Sequence, residues 1–390
     1  MNVRFHAVVD APALRARYGD ALSPGDAEEL AATAEARLLA VAGGIPQPVR
    51  ALLRDAGAVV VEAGEMTLLG GTRAAFERAH QRASGNDAPF VAALLLALAR
   101  AALPAPQLRL RDRVLDLRDE ALVMGIVNVT PDSFYERVDG AAAAVAKARA
   151  MAADGATLID IGGQSYAASN GRVPADEERA RVVPAVRAMA AAGIRVPLSV
   201  DTVRASVADA ALEAGAHLIN DCSGLSDPAL PEIVAKHGAA LVVMHLKGEL
   251  NVREPGKYVY RDALAEIVDF LYERTERAVA GGVARDAIVV DPGLEFGKEP
   301  HTDLEILERF GELRALGYPI LLASSRKSFL GRIFGRPASE LLVPSLATAA
   351  IGIAAGARLV RAHDVSETVQ LARMLAAAAG PGRTARRLLM

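Results

Sequence analysis

The sequence predicts a barrel of eight parallel strands and eight helices, preceded by a smaller α/β domain. From Leu122 onward, short apolar runs alternate with stretches rich in alanine, glutamate and arginine at helical spacing, and the unit occurs eight times. The apolar runs contain few polar residues, which is typical of strands buried on both faces of a parallel sheet. Eight such units within about 250 residues match a (β/α)8 TIM barrel.

The predicted barrel strands are separated by stretches long enough for one helix each, among them a single helix predicted over Asp303–Leu316. Polar residues end nearly every strand. This favours a barrel over a doubly wound open sheet, because an open sheet concentrates its site at one switch point. The strands are predicted at Val123–Val129, Leu158–Gly162, Leu198–Asp201, Leu218–Asp221, Leu241–His245, Ile288–Asp291, Ile320–Ser324 and Leu359–Arg361.

Residues 1–112 are predicted to form a small N-terminal α/β domain of open role, and residues 113–390 the barrel. Two alternating leucine segments, near Leu108 and Leu115, predict a hairpin before the first barrel strand. In the N-terminal domain we expect helices and strands at Val49–Ala56, Ala58–Glu62, Met66–Leu69, Thr72–Arg82 and Ala92–Leu103.

Composition restricts the partners. A net charge of −3 gives no reason to expect nucleic acid or an anionic membrane as a partner. The single cysteine, Cys222, cannot form an internal disulfide, which fits a reducing compartment. The apolar run Phe90–Ala99 is too short to span a bilayer, so we expect a soluble protein of the cytoplasm.

Two consecutive predicted strands end in cationic and hydroxyl-bearing residues. Ser325-Arg-Lys-Ser328 follows the seventh strand, and Arg361-Ala-His363 ends the eighth. An anionic, phosphorylated ligand needs such side chains. In this fold the loops after the seventh and eighth strands are the usual phosphate position, so an anion site is predicted there.

Asp201, Asn220 and Asp291 lie at the ends of the third, fourth and sixth predicted strands. Two carboxylates and an amide in one pocket suit a nitrogen heterocycle, because they can accept from ring N–H and exocyclic amino groups. Any one of them alone is explained as readily by a helix cap. Together with Lys327 and Arg361 they favour a site, since buried charge without a function is costly.

Asn128 ends the first strand, and its amide oxygen is a hard donor suited to Mg²⁺, although a turn cap is the alternative. His245 follows the fifth strand without a His or Cys partner at metal spacing, which argues against zinc. No Gly-x-Ser-x-Gly elbow or Cys/His pairing indicates a covalent nucleophile.

Several segments together resemble dihydropteroate synthase, the pterin-binding barrel enzyme of folate biosynthesis. They occur in the family order over roughly residues 115–385, and the first and seventh are the most diagnostic. The segments are Met124-Gly-Ile-Val-Asn-Val-Thr-Pro-Asp-Ser-Phe134, Asp160-Ile-Gly-Gly163, Ser199-Val-Asp-Thr202, Asn220-Asp-Cys-Ser-Gly224, Met244-His245, Asp291-Pro-Gly-Leu-Glu-Phe-Gly-Lys298, Ser325-Arg-Lys-Ser-Phe329 and Arg361-Ala-His-Asp364.

The resemblance implies a transferase that condenses 6-hydroxymethyl-7,8-dihydropterin diphosphate with 4-aminobenzoate and releases pyrophosphate, as a homodimer with Mg²⁺. The pterin would be bound by Asp201, Asn220, Met244, Asp291 and Lys327. The diphosphate would be bound by Asn128, Arg361 and His363, with Mg²⁺ at Asn128. The aminobenzoate would be bordered by Phe296, Ser328 and Tyr166. The catalytic residues would be Asp201, Lys327, Arg361 and His363.

Two departures concern the second substrate. Where the family reads Gly-Gly-Glu-Ser-Thr-Arg-Pro-Gly, this chain has Gly162-Gly-Gln-Ser-Tyr-Ala-Ala-Ser-Asn170, and Glu295 replaces a small residue. The amine is therefore 4-aminobenzoate or a substituted analogue. One alternative is a non-catalytic pterin-binding paralogue, which the lost arginine at Ala167 favours. The other is a pterin-dependent methyltransferase, which would not need residues that bind a diphosphate.

Overall fold

The structure is a computed structural model, and it describes residues 3–6, 14–15, 18–33, 38–42, 44–102, 107–130, 138, 140–164, 171–252 and 256–379. The chain divides into two compact units. The N-terminal unit comprises Met1–Pro104 together with Arg309–Gly317. The barrel unit comprises Ala105–Glu308 and Tyr318–Met390.

The N-terminal unit is built on a four-stranded antiparallel sheet in the order β1-β2-β4-β3. The strands are β1 Val3–His6, β2 Leu38–Ala42, β3 Val59–Ala63 and β4 Met66–Gly70. The helices are α1 Pro24–Thr33, α2 Gln47–Asp55, α3 Arg73–Arg82 and α4 Ala88–Ala102. The elements predicted from residue 49 onward are confirmed, whereas β1, β2 and α1 were not predicted.

Both faces of this sheet carry an apolar core. Side chains alternate along β2, so Leu39 and Val41 join one cluster and Ala40 joins the other. The first cluster also contains buried residues of α2, α3 and α4, and the second contains Leu30 of α1. Helices on both faces explain why the strand sequence Val59-Val-Val reads as continuously apolar rather than alternating.

A hairpin precedes the first barrel strand, as predicted: β5 Gln107–Leu110 pairs with β6 Arg113–Asp116, and both strands lie in the barrel unit. Eight parallel strands follow in the order β12-β11-β10-β9-β8-β7-β14-β13, and a parallel bridge between Val290 and Ile320 closes the ring. This confirms the predicted (β/α)8 barrel. The strands are β7 Leu122–Asn128, β8 Leu158–Gly162, β9 Leu198–Asp201, β10 Leu218–Asp221, β11 Ala240–Met244, β12 Ile288–Asp291, β13 Leu321–Leu322 and β14 Leu359–Ala362.

The barrel helices follow the predicted alternation with one difference. The single helix predicted over Asp303–Leu316 is wrong, because an α-helix ends at Glu308 and a separate 3-10 helix, Phe310–Leu316, follows it. The second piece belongs to the N-terminal unit. The helices are α5 Gly140–Ala153, α6 Ala175–Ala191, α7 Ala205–Glu213, α8 Leu230–Lys236, α9 Ala263–Ala280, α10 Pro300–Glu308, α11 Ser328–Phe334, α12 Leu342–Ala355 and α13 Val365–Ala379.

The strand register brings the polar strand ends to one level. Asn128 pairs with Gly162, Gly162 with Asp201, and Asp201 with Asn220 across four neighbouring strands. Met244 pairs with Asp291. Because all eight strands are parallel, these residues lie at the same carboxyl-terminal rim, where the sites of barrel enzymes form. Within the described ranges, no helix combines the length and the hydropathy needed to cross a membrane.

Candidate active site

An ion-pair network lies at the centre of the rim. Arg361 on β14 donates from Nε to Asp160 Oδ2 at 2.6 Å and from Nη2 to Asp201 Oδ2 at 3.1 Å. Asn220 Nδ2 donates to the same Asp160 oxygen at 3.0 Å, and Ser199 Oγ donates to its other oxygen at 2.5 Å. These bonds tie the ends of β8, β9, β10 and β14 together. Three predicted residues, Asp201, Asn220 and Arg361, therefore share one site.

Asp160, the hub of this network, was not predicted as a site residue. Its side chain is fully buried and accepts from three side chains. A signal was present in the sequence, because Asp160 is a charged residue inside the otherwise apolar strand Leu158-Ile-Asp-Ile-Gly162. A buried carboxylate is costly unless it is paired, and here the pairing fixes the direction of Arg361.

Asp201 has unused hydrogen-bonding capacity. One of its oxygens meets Arg361, whereas the buried Oδ1 has no hydrogen-bond partner among the described atoms. Burial raises the pKa of Asp201 from 3.8 to about 7; Arg361 opposes this shift, and the carboxylate of Asp160 adds to it. A buried acceptor without a partner is a strong reason to expect a ligand donor at that point.

Lys327 and Asp291 form the opposite wall of the same rim. Lys327 immediately precedes α11, and its Nζ donates to the Leu294 carbonyl at 2.8 Å. The removal of water lowers the pKa of Lys327 and raises that of Asp291, and each charge opposes the shift of the other. Asp291 Oδ1 also accepts from the Gly293 N–H at 2.7 Å, which fixes the start of the loop.

An apolar wall adjoins these charges. Met244 at the end of β11 lies in a small buried cluster with Cys222, and the half-buried Phe296 packs against that cluster. The Lys327 ammonium lies 5.0 Å from the centroid of the Phe296 ring, a cation–π contact. The predicted pterin residues thus combine an apolar surface with acceptors and one cation, as a flat heterocycle requires.

The predicted diphosphate residues lie at the ends of β7 and β14. Asn128 ends β7 and is half-buried. His363 follows β14; its backbone N–H donates to Ser325 Oγ at 3.1 Å, and its Nδ1 lies 3.1 Å from the same oxygen. Burial and the nearby Arg361 lower the pKa of His363 to about 3. His363 is therefore neutral near pH 7, so its side chain can interact with an anion through a hydrogen bond but not as a cation.

Arg326 corrects one expectation about the cationic strand ends. Its guanidinium makes two hydrogen bonds to Asp364, at 2.8 and 2.7 Å, and two more to the carbonyls of Ala338 and Ser339. With its donors used and only 4% of the residue exposed, Arg326 braces the loop after β13 and is not a ligand for an anion. Of the two cations in Ser325-Arg-Lys-Ser328, only Lys327 belongs to the site.

Of the predicted second-substrate residues, Phe296 lies in the loop after β12 and Ser328 begins α11. Ser328 is exposed at the start of α11, and its hydroxyl donates to Glu295 Oε1. Gln164 is buried, accepts from Arg204 Nη1 at 3.4 Å and donates to Asn251 Oδ1 at 3.4 Å. Gln164 thus links three loops through hydrogen bonds, and it presents no charged group to a ligand. Tyr166 lies outside the described residues.

His245 and Lys298 form a buried pair behind the loop that follows β12. Lys298 Nζ lies 2.9 Å from His245 Nδ1 and donates to the carbonyls of Gly293 and Phe296 at 2.7 and 2.9 Å. Burial lowers the pKa of His245 well below its ordinary value and that of Lys298 to about 7. These contacts give His245 a structural role in holding the loop after β12.

Among the described residues no group of three or more His, Cys, Asp or Glu side chains is arranged to hold a metal ion. The donor set nevertheless fits Mg²⁺ in a second way. Mg²⁺ is commonly held by one or two protein oxygens together with substrate phosphates, and Asn128 offers a hard amide oxygen at the rim. The residues present therefore fit a metal that arrives with an anionic substrate.

Comparison with known proteins agrees with this geometry. Residues 124–363 match the family model described as pterin binding enzyme. The chain is 40% identical over 271 residues to the dihydropteroate synthase of Bacillus subtilis, covering 69% of this chain and 92% of that protein.

Two further relatives bear on function. A protein of Mycobacterium tuberculosis named inactive dihydropteroate synthase 2 is 42% identical over 280 residues, which cover 69% of this chain and 87% of that protein. The crystal structure of the dihydropteroate synthase of Thermus thermophilus in complex with 4-aminobenzoate superimposes with a TM-score of 0.61 at 37% identity. That match covers 70% of this chain and 100% of the other.

Proposed function

The chain belongs to the pterin-binding enzyme family, and from this premise we propose that it is a dihydropteroate synthase. It joins a 6-hydroxymethyl-7,8-dihydropterin diphosphate to the amino group of 4-aminobenzoate or a substituted analogue, and releases pyrophosphate. The single observation that carries this proposal is the network of Asp160, Asp201, Asn220 and Arg361 at the barrel mouth, with Lys327 and Asp291 on its opposite wall.

The reaction breaks the bond between the pterin CH₂ and the diphosphate oxygen and forms a bond from that carbon to the amine nitrogen. The electron pair of the broken bond leaves with pyrophosphate, and the amine loses one proton after attack. The carbon carries positive charge during the exchange, so the carboxylates of Asp201 and Asp291 stabilise it electrostatically. Their positions are set in advance by hydrogen bonds, so little reorganisation is needed.

The pterin ring would lie between the apolar wall and the polar strand ends. The unpartnered Oδ1 of Asp201 accepts from a ring N–H or an amino group, while Asn220 and Asp291 offer further acceptors. Lys327 donates to a ring acceptor and limits the excess negative charge of the pocket. No covalent intermediate with the protein is required, because the amine attacks carbon directly.

At the other end of the rim, Arg361 and His363 contact the diphosphate. Two nitrogens of the Arg361 guanidinium are held by carboxylates, which leaves Nη1 for an oxygen of the leaving group. Neutral His363 adds a hydrogen bond. Mg²⁺ held by Asn128 and the diphosphate would supply charge neutralisation of the leaving group.

The assembly we propose is a homodimer. The last three helices carry large apolar side chains at the surface: Phe334 on α11, Val343 and Ile351 on α12, and Met374 on α13. Such a concentration of exposed apolar residues supports association through these helices. We place the enzyme in the cytoplasm, which the single buried cysteine, Cys222, supports.

A pterin-binding protein without turnover is the second candidate. Two observations favour it: the relative from Mycobacterium tuberculosis carries the name inactive, and Gln164 makes internal contacts where the family has an acid. The intact network around Asp160 opposes it, since Asp160, Asp201 and Arg361 remain paired at the barrel mouth.

A turnover assay separates the two candidates. Purified protein is mixed with the pterin diphosphate, Mg²⁺ and 4-aminobenzoate or an analogue, and pyrophosphate release is measured with and without the amine. Release that depends strictly on the amine is expected for the synthase. If calorimetry shows that the protein binds the pterin but no amine causes pyrophosphate release from the pterin diphosphate, the second candidate is established instead.

A further inference from the structure

Glu295, in the loop after β12, holds its carboxylate against the start of α11. Its Oε1 accepts from the Ser328 hydroxyl and, at 2.8 Å, from the Phe329 backbone N–H. The backbone N–H of Glu295 donates to the buried Asp303 at 2.8 Å. Hydrogen bonds from both its backbone and its side chain therefore fix this acid in one position.

The backbone at Glu295 is unusual. Its φ is +78°, a conformation that a residue with a side chain adopts at a cost and that favours glycine. The family has a small residue here, whereas this chain keeps a glutamate. Such strain is retained where the surroundings over-determine it, and it occurs often at functional sites.

The carboxylate of Glu295 lies beside the proposed pterin pocket. Its neighbours in the chain, Leu294 and Phe296, both contact the Lys327 ammonium, through a carbonyl at 2.8 Å and a ring centroid at 5.0 Å. Ser328, whose hydroxyl Glu295 accepts from, follows Lys327 directly. The negative charge of Glu295 raises the pKa of Lys327, against the lowering by burial. Phe296 and Ser328, which the family resemblance places beside the amine, therefore flank Glu295 in sequence and through a hydrogen bond, respectively.

We propose that Glu295 sets the charge preference for the amine substrate. The Ser328 hydroxyl and the Phe329 N–H, next to Lys327, already donate to the carboxylate of Glu295. The carboxylate of an anionic amine at this place would be repelled by the like charge of Glu295. The favoured amine is therefore a 4-aminobenzoyl compound whose carboxyl group is uncharged, such as an amide or an ester. This inference rests on the proposed function and names its second substrate more closely.

Two amines of nearly equal shape test the preference: 4-aminobenzoate, which is anionic, and 4-aminobenzamide, which is neutral. Their affinities are measured by calorimetry on full-length protein saturated with 6-hydroxymethylpterin and pyrophosphate, which cannot react. We expect wild-type protein to bind the amide at least about tenfold more tightly, since like charges at short range in a partly buried site oppose binding.

The variant Glu295→Gln removes the charge, and its amide oxygen can still accept from Ser328 and Phe329. It should reduce the amide-to-acid affinity ratio about tenfold, and Glu295→Ala should reduce it further. The matched control is Glu299→Gln, in the same loop, where the acid pairs with Arg332 at 3.2 Å. This change should move the ratio less than about twofold, because Arg332 already neutralises the charge of Glu299.

Equal affinity of the wild type for both amines, a ratio unchanged in Glu295→Gln, or no binding of either amine to wild type and variants would each overturn the inference. Pyrophosphate release with the reactive pterin diphosphate is measured separately. A shifted ratio without release would leave the charge preference standing and reject the synthase function. Release with an unshifted ratio would reject only the role of Glu295.

Discussion

The two halves of the barrel mouth differ in how their side chains are held. In the half proposed for the pterin and the diphosphate, charged groups lie on strand ends and bond to one another, as Arg361 does to Asp160 and Asp201. In the half proposed for the amine, Glu295 and Gln164 lie on loops and Ser328 begins α11, and contacts outside the barrel strands position them. The sheet register sets the first group, whereas the second can change without disturbing the barrel.

The largest effect is expected from removing the hub of the strand-borne half. Asp160→Ala removes the buried acceptor of Arg361 Nε and Asn220 Nδ2, so the free energy of unfolding should fall by about 3–5 kcal/mol, measured by urea denaturation. The control Asp286→Ala breaks an ion pair with Arg109, in which the Asp286 side chain is 63% exposed. It should cost far less, and equal losses for the two variants would mean that the network is not structural.

Lys327→Ala should weaken pterin binding well over tenfold, because a charged hydrogen bond lost from a site costs about 1.5–3 kcal/mol. Calorimetry with 6-hydroxymethylpterin measures the effect. Lys236→Ala serves as the control, since Lys236 on α8 pairs with Asp209 at 3.1 Å at the surface. Unchanged affinity in Lys327→Ala would place the pterin pocket elsewhere.

A smaller effect concerns the pH dependence of stability. The pKa of Asp201 rises from 3.8 to about 7 on folding, so between these values the native state binds more protons than the unfolded state. The contribution of Asp201 to the free energy of unfolding is therefore fully present below about pH 4 and is lost as the pH rises through 7.

Comparison with Asp201→Asn isolates this contribution. The difference in unfolding free energy, wild type minus variant, should fall by roughly 1 kcal/mol or more between pH 4 and 7.5. Urea denaturation at several pH values measures it. A difference that is constant with pH, or one that grows with pH, would contradict the raised pKa.

The smallest effect is expected at Asn128. Asn128→Ala should raise the Mg²⁺ concentration for half-maximal turnover severalfold, because one oxygen ligand is lost while the substrate phosphates remain. The control Gln370→Ala removes an exposed amide that bonds within α13. An unchanged Mg²⁺ requirement in the Asn128 variant would remove that residue from the metal site.

The sequence predicted most of the barrel and of its strand-borne residues, because apolar runs mark the strands and a parallel register aligns their ends. The positions of Asp291 and Asn220 could be predicted without knowing any loop conformation, because both residues lie on strands. The direction of Arg326 was not predictable, because its pairing with Asp364 joins residues that are 38 positions apart in sequence. Glu295 was visible as a departure, but its bond to Ser328 depends on a backbone with positive φ.

The short 3-10 helix Phe310–Leu316 limits how this chain can be truncated. It is an insertion from the barrel part of the polypeptide into the N-terminal unit, and its residues Phe310 and Leu313 are fully buried. Deleting the first 104 residues would expose these apolar side chains to solvent on the remaining protein. Separating the two units therefore requires redesign of that insertion as well. A simple truncation would promote aggregation, and a loss of activity in the truncated protein would not show a catalytic role for the N-terminal unit.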